Sequence, residues 1–194
     1  MRTFIAVLIL IFSFQSWTKA DDIRDFQIEG ISIGSSLLEY YEEEEIKKEV
    51  KKSLERKHQY KNNFIDVNFR PKGDEGYENI MITIKSNDNN YTIYVVAGIT
   101  FFKNDIKNCY SKTNEISKEI KNMFSKKIKS KKINRKHWAD KTGKSKYKGI
   151  EFKFKGGDID LMCYDWSKNM SKKYNYWDQL MISIKSKEFQ NTAF

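Results

Sequence analysis

The chain has 194 residues, 36 of them Lys or Arg and 26 Asp or Glu, giving a net charge of +10 at neutral pH. That length suits one domain with a real core, or two small halves of one fold. Only five of the basic residues are Arg, the better choice for bidentate phosphate contacts, so nucleic acid is a poor partner and AT-rich codon usage accounts for much of the charge.

The first twenty residues read as a secretory signal peptide. Arg2 supplies a positive start, residues 4–14 an apolar core too short for a stable membrane span, and Thr18 and Ala20 the small residues at −3 and −1 before Asp21. No Cys follows the apolar core, which excludes a lipid anchor there, and no later stretch is apolar enough to span a membrane. The expected product is a periplasmic or secreted chain of residues 21–194. Loss of Arg2 and Lys19 takes its charge from +10 to +8.

Residues 25–34 read as an opening strand, with Phe26 and Ile28, then Ile31 and Ile33 after Gly30, as its apolar positions. Ser36 and Glu39 form a capping-box pattern, so a helix is predicted from about Ser36. A second helical stretch covers residues 42–57, with Ile46, Val50 and Leu54 at i, i+4 and i+8. Acids at its start and Lys51, Lys52, Arg56 and Lys57 at its end complement the helix dipole, so the acidic run needs no metal to explain it.

Three strands follow. Ile65, Val67 and Phe69 alternate with polar residues, as do Ile80, Ile82 and Ile84; residues 91–103 are apolar on both faces and read as central. A helix over 104–127 presents Ile106, Cys109, Tyr110, Ile116, Ile120, Met123 and Phe124 on one side. Residues 126–146 hold ten Lys or Arg and one acid, Asp140. They are expected to form an exposed, poorly ordered linker outside the sheet, in which only Trp138 seeks cover.

The last strands come after the linker. Gly156 and Gly157 are predicted to make a two-residue hairpin turn pairing Lys155 with Asp158, Phe154 with Ile159, Lys153 with Asp160, Phe152 with Leu161 and Ile150 with Cys163. A final strand carries Leu180, Ile182 and Ile184. The fold class is α+β, an antiparallel sheet with helices packed on one face. It forms a single domain over 21–194 or two α-βββ halves, 25–103 and 104–194. The likeness of NIMITIKS (79–86) to QLMISIKS (179–186) is the trace a duplication would leave.

Cys109 lies on the apolar side of its helix and Cys163 on that of its strand, so a disulfide is expected in an oxidising compartment. It would close a loop of about 55 residues and contribute roughly 3–4 kcal/mol. The two Cys, with His58 and His137, match no zinc spacing and form no CxxC pair. Neither His has a Ser or Asp at triad spacing. No catalytic residue, metal or cofactor is assigned.

Lys131, Lys132, Arg135 and Lys136, beside Trp138, are the candidate anion-binding residues, against the plainer reading of a solvated loop. Gly143-Lys144-Ser145 ends like a phosphate-binding P-loop, but Trp138 stands where that motif needs Gly. Asp158, Asp160 and Asp165 are spaced D-x-D-x-x-x-x-D, and pairing with Lys explains two of them. Tyr164, Trp166, Tyr174, Tyr176 and Trp177 form an aromatic cluster. It either makes a ligand or partner surface or lies under a helix on the face opposite Cys163.

The segments DIRDFQIEGISIGSSLLEYY, NDIKNCYSKTNEI, ADKTGKS and MCYDWS are similar to those of an uncharacterised family of small exported proteins from AT-rich, streamlined marine bacteria. The resemblance covers nearly all of residues 21–194 and implies export and the two cysteines. Ser35 departs from it, standing where the pattern after GISIG has Asp. In element order the chain also resembles the helix-plus-meander periplasmic modules of the outer-membrane assembly lipoprotein and β-lactamase-inhibitor type. The expected function is that of an exported, non-catalytic binding or interaction protein whose partner is an envelope protein or an anionic polymer. The alternatives are a cell-envelope hydrolase with carboxylates assembled by the fold, and an adaptor for anionic polymers.

Overall fold

Seven segments become strands: β1 (Phe64–Phe69), β2 (Asn79–Lys85), β3 (Val95–Phe101), β4 (Lys129–Lys136), β5 (Lys146–Lys153), β6 (Gly157–Asp165) and β7 (Gln179–Ser186). They form one antiparallel sheet in the order β1-β2-β3-β7-β6-β5-β4. Among the described residues four α-helices accompany it: α1 (Glu43–Leu54), α2 (Ile106–Met123), α3 (Lys168–Tyr174) and α4 (Lys187–Thr192). The computed structural model describes residues 23–55, 60–73, 76–103, 105–124 and 128–193; the predicted signal segment and His58 lie outside them. This is the α+β class expected from the sequence.

One face of the sheet carries the alternating apolar residues, among them Ile65, Val67, Ile80, Ile82, Phe152, Leu161 and Ile182. α1 lies over β1 on this face, and α2 over β5, β6 and β7. Ile46 of α1 and Cys109, Ile116 and Ile120 of α2 are buried against it. Cys109 and Cys163 meet there at disulfide distance, sulfurs 2.00 Å and Cα atoms 6.0 Å apart. Met123, expected on the buried side of α2, is instead 41% exposed at the end of the helix.

The predicted opening strand is absent, because residues 25–34 have no neighbouring strand to pair with. A 3-10 turn (Ile23–Asp25) is followed by a tight reversal in which Ile28 and Ile31 bond each other. Glu29 and Gly30 make that reversal at positive φ, 53° and 75°. The alternation was real but serves a different end: Phe26, Ile28, Ile31 and Ile33 all enter the core. Phe26 packs on Phe124 beyond α2 and on Phe154, ring centroids 5.1 and 5.0 Å apart.

The Ser36 capping box forms, yet the helix stops after one 3-10 turn, Leu37–Glu39. Ser36 is bridged to Thr92, and Leu37 N–H bonds the Tyr91 carbonyl, so the chain is pinned to the strand side and restarts as α1. Tyr41 then stacks on Phe69 at 3.9 Å.

The β5–β6 hairpin forms with a register two residues from the one predicted. Lys153 faces Asp158, Phe152 faces Ile159, Ile150 faces Leu161 and Lys148 faces Cys163. A two-residue slip keeps every side chain on its face, so the pattern of apolar residues could not distinguish the two registers. The glycines decide it. Gly157 is already inside β6, where a Cβ would stand 1.9 Å from the Lys185 carbonyl oxygen of β7. The turn is therefore made by residues 154–156, closed by Phe154 N–H on the Gly157 carbonyl at 2.9 Å.

Residues 126–146 are not a linker outside the sheet. Residues 129–136 are β4, paired along their whole length with β5. NIMITIKS and QLMISIKS occupy β2 and β7, which are not equivalent places. The first three strands meet the last four at β3 and β7, so a two-fold relation would map β7 onto β3.

Candidate interaction surface

β4 reads KSKKINRK and is exposed at every position except Ile133, which is half-buried opposite Gly149. Its partner strand, not its own apolar content, makes it a strand. Lys129, Lys131, Ile133 and Arg135 alternate onto the face away from α1 and α2. Ser130, Lys132, Asn134 and Lys136 lie on the helix side, opposite Phe152, Ile150, Lys148 and Lys146 of β5. The four predicted anion-binding cations are thus brought together on one edge strand but divided between its two faces. Among the described residues none of β4's five cations makes an ion pair. Lys148 extends the charge inward and lies over the Tyr110 ring of α2 at 5.3 Å.

The loop from β4 to β5 is held by Asp140, the one acid in this stretch. Its Oδ1 accepts from Thr142 N–H (2.9 Å) and Oγ1 (2.7 Å). Its Oδ2 accepts from Ser145 N–H (2.9 Å), Ser145 Oγ (2.6 Å) and Ser167 Oγ (2.9 Å). The Ser145 and Thr142 hydroxyls in particular hold the carboxyl well below its usual pKa. Ser167 is the N-cap of α3, so one carboxylate ties this loop to the helix that follows β6. Ser145, the end of the P-loop-like triplet, is a buried structural donor.

Asp140 thereby places His137 and Trp138. His137 is half-buried, and its Nδ1 accepts from Ala139 N–H at 3.2 Å, which fixes the neutral ring with its proton on Nε2. Burial lowers its pKa, and the nearby Asp140 charge only partly opposes this. Trp138 does not find the cover expected of it: the indole is 60% exposed, because His137 takes the inner place against Trp166, ring centroids 4.4 Å apart.

From there a continuous series of rings crosses the sheet end. Tyr147 stacks on Tyr164 (5.7 Å), Tyr164 on Trp166 (6.1 Å), Trp166 meets Tyr176 (4.6 Å), and Tyr176 stacks on Tyr174 (5.4 Å). Tyr174 and Tyr176 remain 48% and 40% exposed. Trp177 stands apart, edge-on to Phe101 at 5.3 Å. The helix expected over this face is α4, but it covers the other end. Phe189 and Ala193 pack there on Phe64 and Val95, beside Ser186, where β7 ends.

Of the three acids of the D-x-D run, Asp158 and Asp160 lie elsewhere on the same face, whereas Asp165 falls on the helix side, opposite Lys146. Asp158 pairs with Lys153 at 2.6 Å, and Lys153 also reaches Glu151 at 3.1 Å. Asp160 pairs with Lys185 of β7, not with Lys153 as the predicted register had it. Asp160 is 8% exposed and its Oδ1 has no hydrogen-bond partner. Burial raises its pKa above the ordinary carboxylate value against the pull of Lys185, and Glu151 and Asp158 add to the rise. A cleft of about 360 Å³ lies at the Ser186 end, lined by Ile33, Ile93, Tyr94 and Glu188 among others. Glu188 is engaged by Lys85 at 2.7 Å, and Asp158 and Asp160 do not line the cleft.

Compared with known protein families, with characterised proteins and with solved structures, the chain matches none.

Sequence reasoning missed His137, Tyr147 and Asp140 as parts of this surface. The available signals were slight. Turn chemistry begins only at residues 139–145, so residues 129–136 lack the breakers of a loop, and Lys-rich composition is what an edge strand carries.

Proposed function

We propose that this protein is an exported, non-catalytic interaction protein that takes an anionic partner at the β4–β5 end of its sheet. One observation carries the reading: Lys129, Lys131, Lys132, Arg135 and Lys136 are all exposed on one strand, beside an aromatic series that is half-buried at Tyr147, Tyr164 and Trp166 and exposed at Tyr174 and Tyr176. Cations left unpaired draw a polyanion from a distance, and exposed rings add contact area at low entropic cost. The signal-peptide pattern, the paired cysteines and the family resemblance support export. The hydrolase reading has less support, since the two carboxylates whose pKa is raised by burial, Asp160 and Asp178, are both buried and engaged, Asp160 by Lys185 and Asp178 by Trp166 N–H.

The test uses fluorescent poly-glutamate as the probe. Binding should weaken by about tenfold or more between roughly 50 and 200 mM salt, and that dependence should flatten when Lys131, Lys132, Arg135 and Lys136 are all changed to Gln. Equal binding by the four-Gln variant overturns the reading. Export is tested separately: mass spectrometry of envelope material should find an N-terminus at Asp21, and a species retaining Met1 there would sink it.

A further inference from the structure

We infer that β4 accepts an acidic peptide as an eighth strand, added in extended form along its free edge. This rests on the anionic-partner reading above and specifies the partner and the mode.

The backbone makes the edge available. His137 N–H bonds the Ser145 carbonyl at 2.9 Å, so 137 and 145 are a hydrogen-bonded pair of the antiparallel ladder. Alternation then makes Lys129, Lys131, Ile133 and Arg135 the residues that bond β5. On the other side of β5, Phe154 N–H bonds the Gly157 carbonyl, which assigns the intervening β5 residues to β6 and agrees with this phase. Ser130, Lys132, Asn134 and Lys136 therefore turn both N–H and C=O outward, eight polar groups along about 26 Å of strand.

Proteins blunt such edges with a bulge, a proline, a covering element or charge. The β4–β5 register is continuous over eight pairs, and the only Pro in the chain is Pro71. Every residue of β4 but Ile133 is exposed, so charge is the device present. Charge is selective where the others are not. A second copy of β4 laid antiparallel would set cation against cation, which is destabilising. An acidic strand meets Lys129, Lys131 and Arg135 on one face and Lys132 and Lys136 on the other, while its backbone completes the ladder.

The probe is a blocked octapeptide alternating Glu with Thr and Val, compared with the same peptide carrying Lys for Glu. On adding the acidic peptide to the intact protein, amide exchange should slow at least about tenfold at Ser130, Lys132, Asn134 and Lys136, with no change at Lys131, Ile133 and Arg135. Asn134→Pro removes an outward N–H without altering charge, a position where an edge strand tolerates proline. It should abolish peptide binding and leave poly-glutamate binding by charge in place. Binding without the alternating protection, or unchanged binding by Asn134→Pro, overturns the inference and spares the anionic-partner reading. Equal binding of the Lys peptide, or protein dimers that form through β4 without peptide, also overturns it. Failure of both the peptide and poly-glutamate to bind ends both. The exchange pattern is read on the unmodified protein, so the inference stays open to refutation even if the proline variant misfolds.

Discussion

The sheet ends in two edges that solve one problem in opposite ways. At β1 the strand FIDVNF is covered: α1 lies on one face, and Phe64, with no exposure, meets Tyr94 and Phe189 on the other. Even its polar residues are engaged there, Asp66 accepting from Tyr60 and Thr83 at 3.0 and 2.7 Å. At β4 almost nothing is covered, and the strand is protected by cations alone. The difference separates two kinds of work. The β1 edge is part of the core and sets stability, whereas the β4 edge contributes little to it and, in the function proposed above, is the edge a partner would use.

The comparison breaks most visibly under core truncation. Phe64→Ala should cost about 3–5 kcal/mol in urea unfolding, as a fully buried ring is lost. Ile133→Ala, the matching change on the half-buried residue of β4, should cost well under half of that. Similar losses at both sites would show that β4 is core after all.

Changing Cys109 and Cys163 to Ala should lower stability by about 2–4 kcal/mol. The bond holds α2 to β6, inboard of β4, so exchange should quicken first in β5 and β6 and hardly in β1. Uniform loosening across the sheet would contradict a regional role.

Acid should loosen the β4 end first, since Asp88 between β2 and β3, whose pKa is also lowered, responds only below its ordinary 3.8. His137 has a lowered pKa, so the folded chain holds fewer protons than the unfolded one, and the stability present above its ordinary 6.5 is lost as pH falls through and below that value. Asp140 has the same sign lower down: its contribution is full above the ordinary 3.8 and is lost as pH falls below it. Asp160, with a raised pKa, runs the other way, and its effect is lost on the alkaline side. Amides of residues 137–145 should therefore exchange faster, after correction for intrinsic rates, at pH 5 than at pH 7, with β1 unchanged. Followed below the ordinary 3.8, the same amides should loosen further, and Asp140→Asn should remove that lower step.

The smallest effect is the most telling. Replacing Lys131, Lys132, Arg135 and Lys136 with Gln should leave unfolding within about 0.5 kcal/mol of the parent. A larger loss would mean that these charges hold the strand in place.

The covered edge was legible in the sequence and the bare one was not. Ile65, Val67 and Phe69, or Ile80, Ile82 and Ile84, mark strands because each must bury one face, and burial writes a period of two. β4 buries almost nothing, so its sequence is free of that period and resembles a loop. The same limit hid the hairpin register, which depended on a backbone approach at Gly157 and not on side-chain sidedness. The aromatic cluster was visible as composition. Its extension to His137 and Tyr147 depends on pairings across β4, β5 and β6 that no local pattern carries.

The link between Cys109 and Cys163 spans 54 positions, and within that span lie β4, β5 and the exposed Lys141 in the turn between them. Outside a cell such a turn is where a trypsin-like protease cuts first. A cut after Lys141 would give two polypeptides that stay in one covalent body, with β4 still laddered to β5. On a gel the nicked protein should run intact until a reductant is added. The bond thus lets the charged edge survive a break in the very loop that presents it.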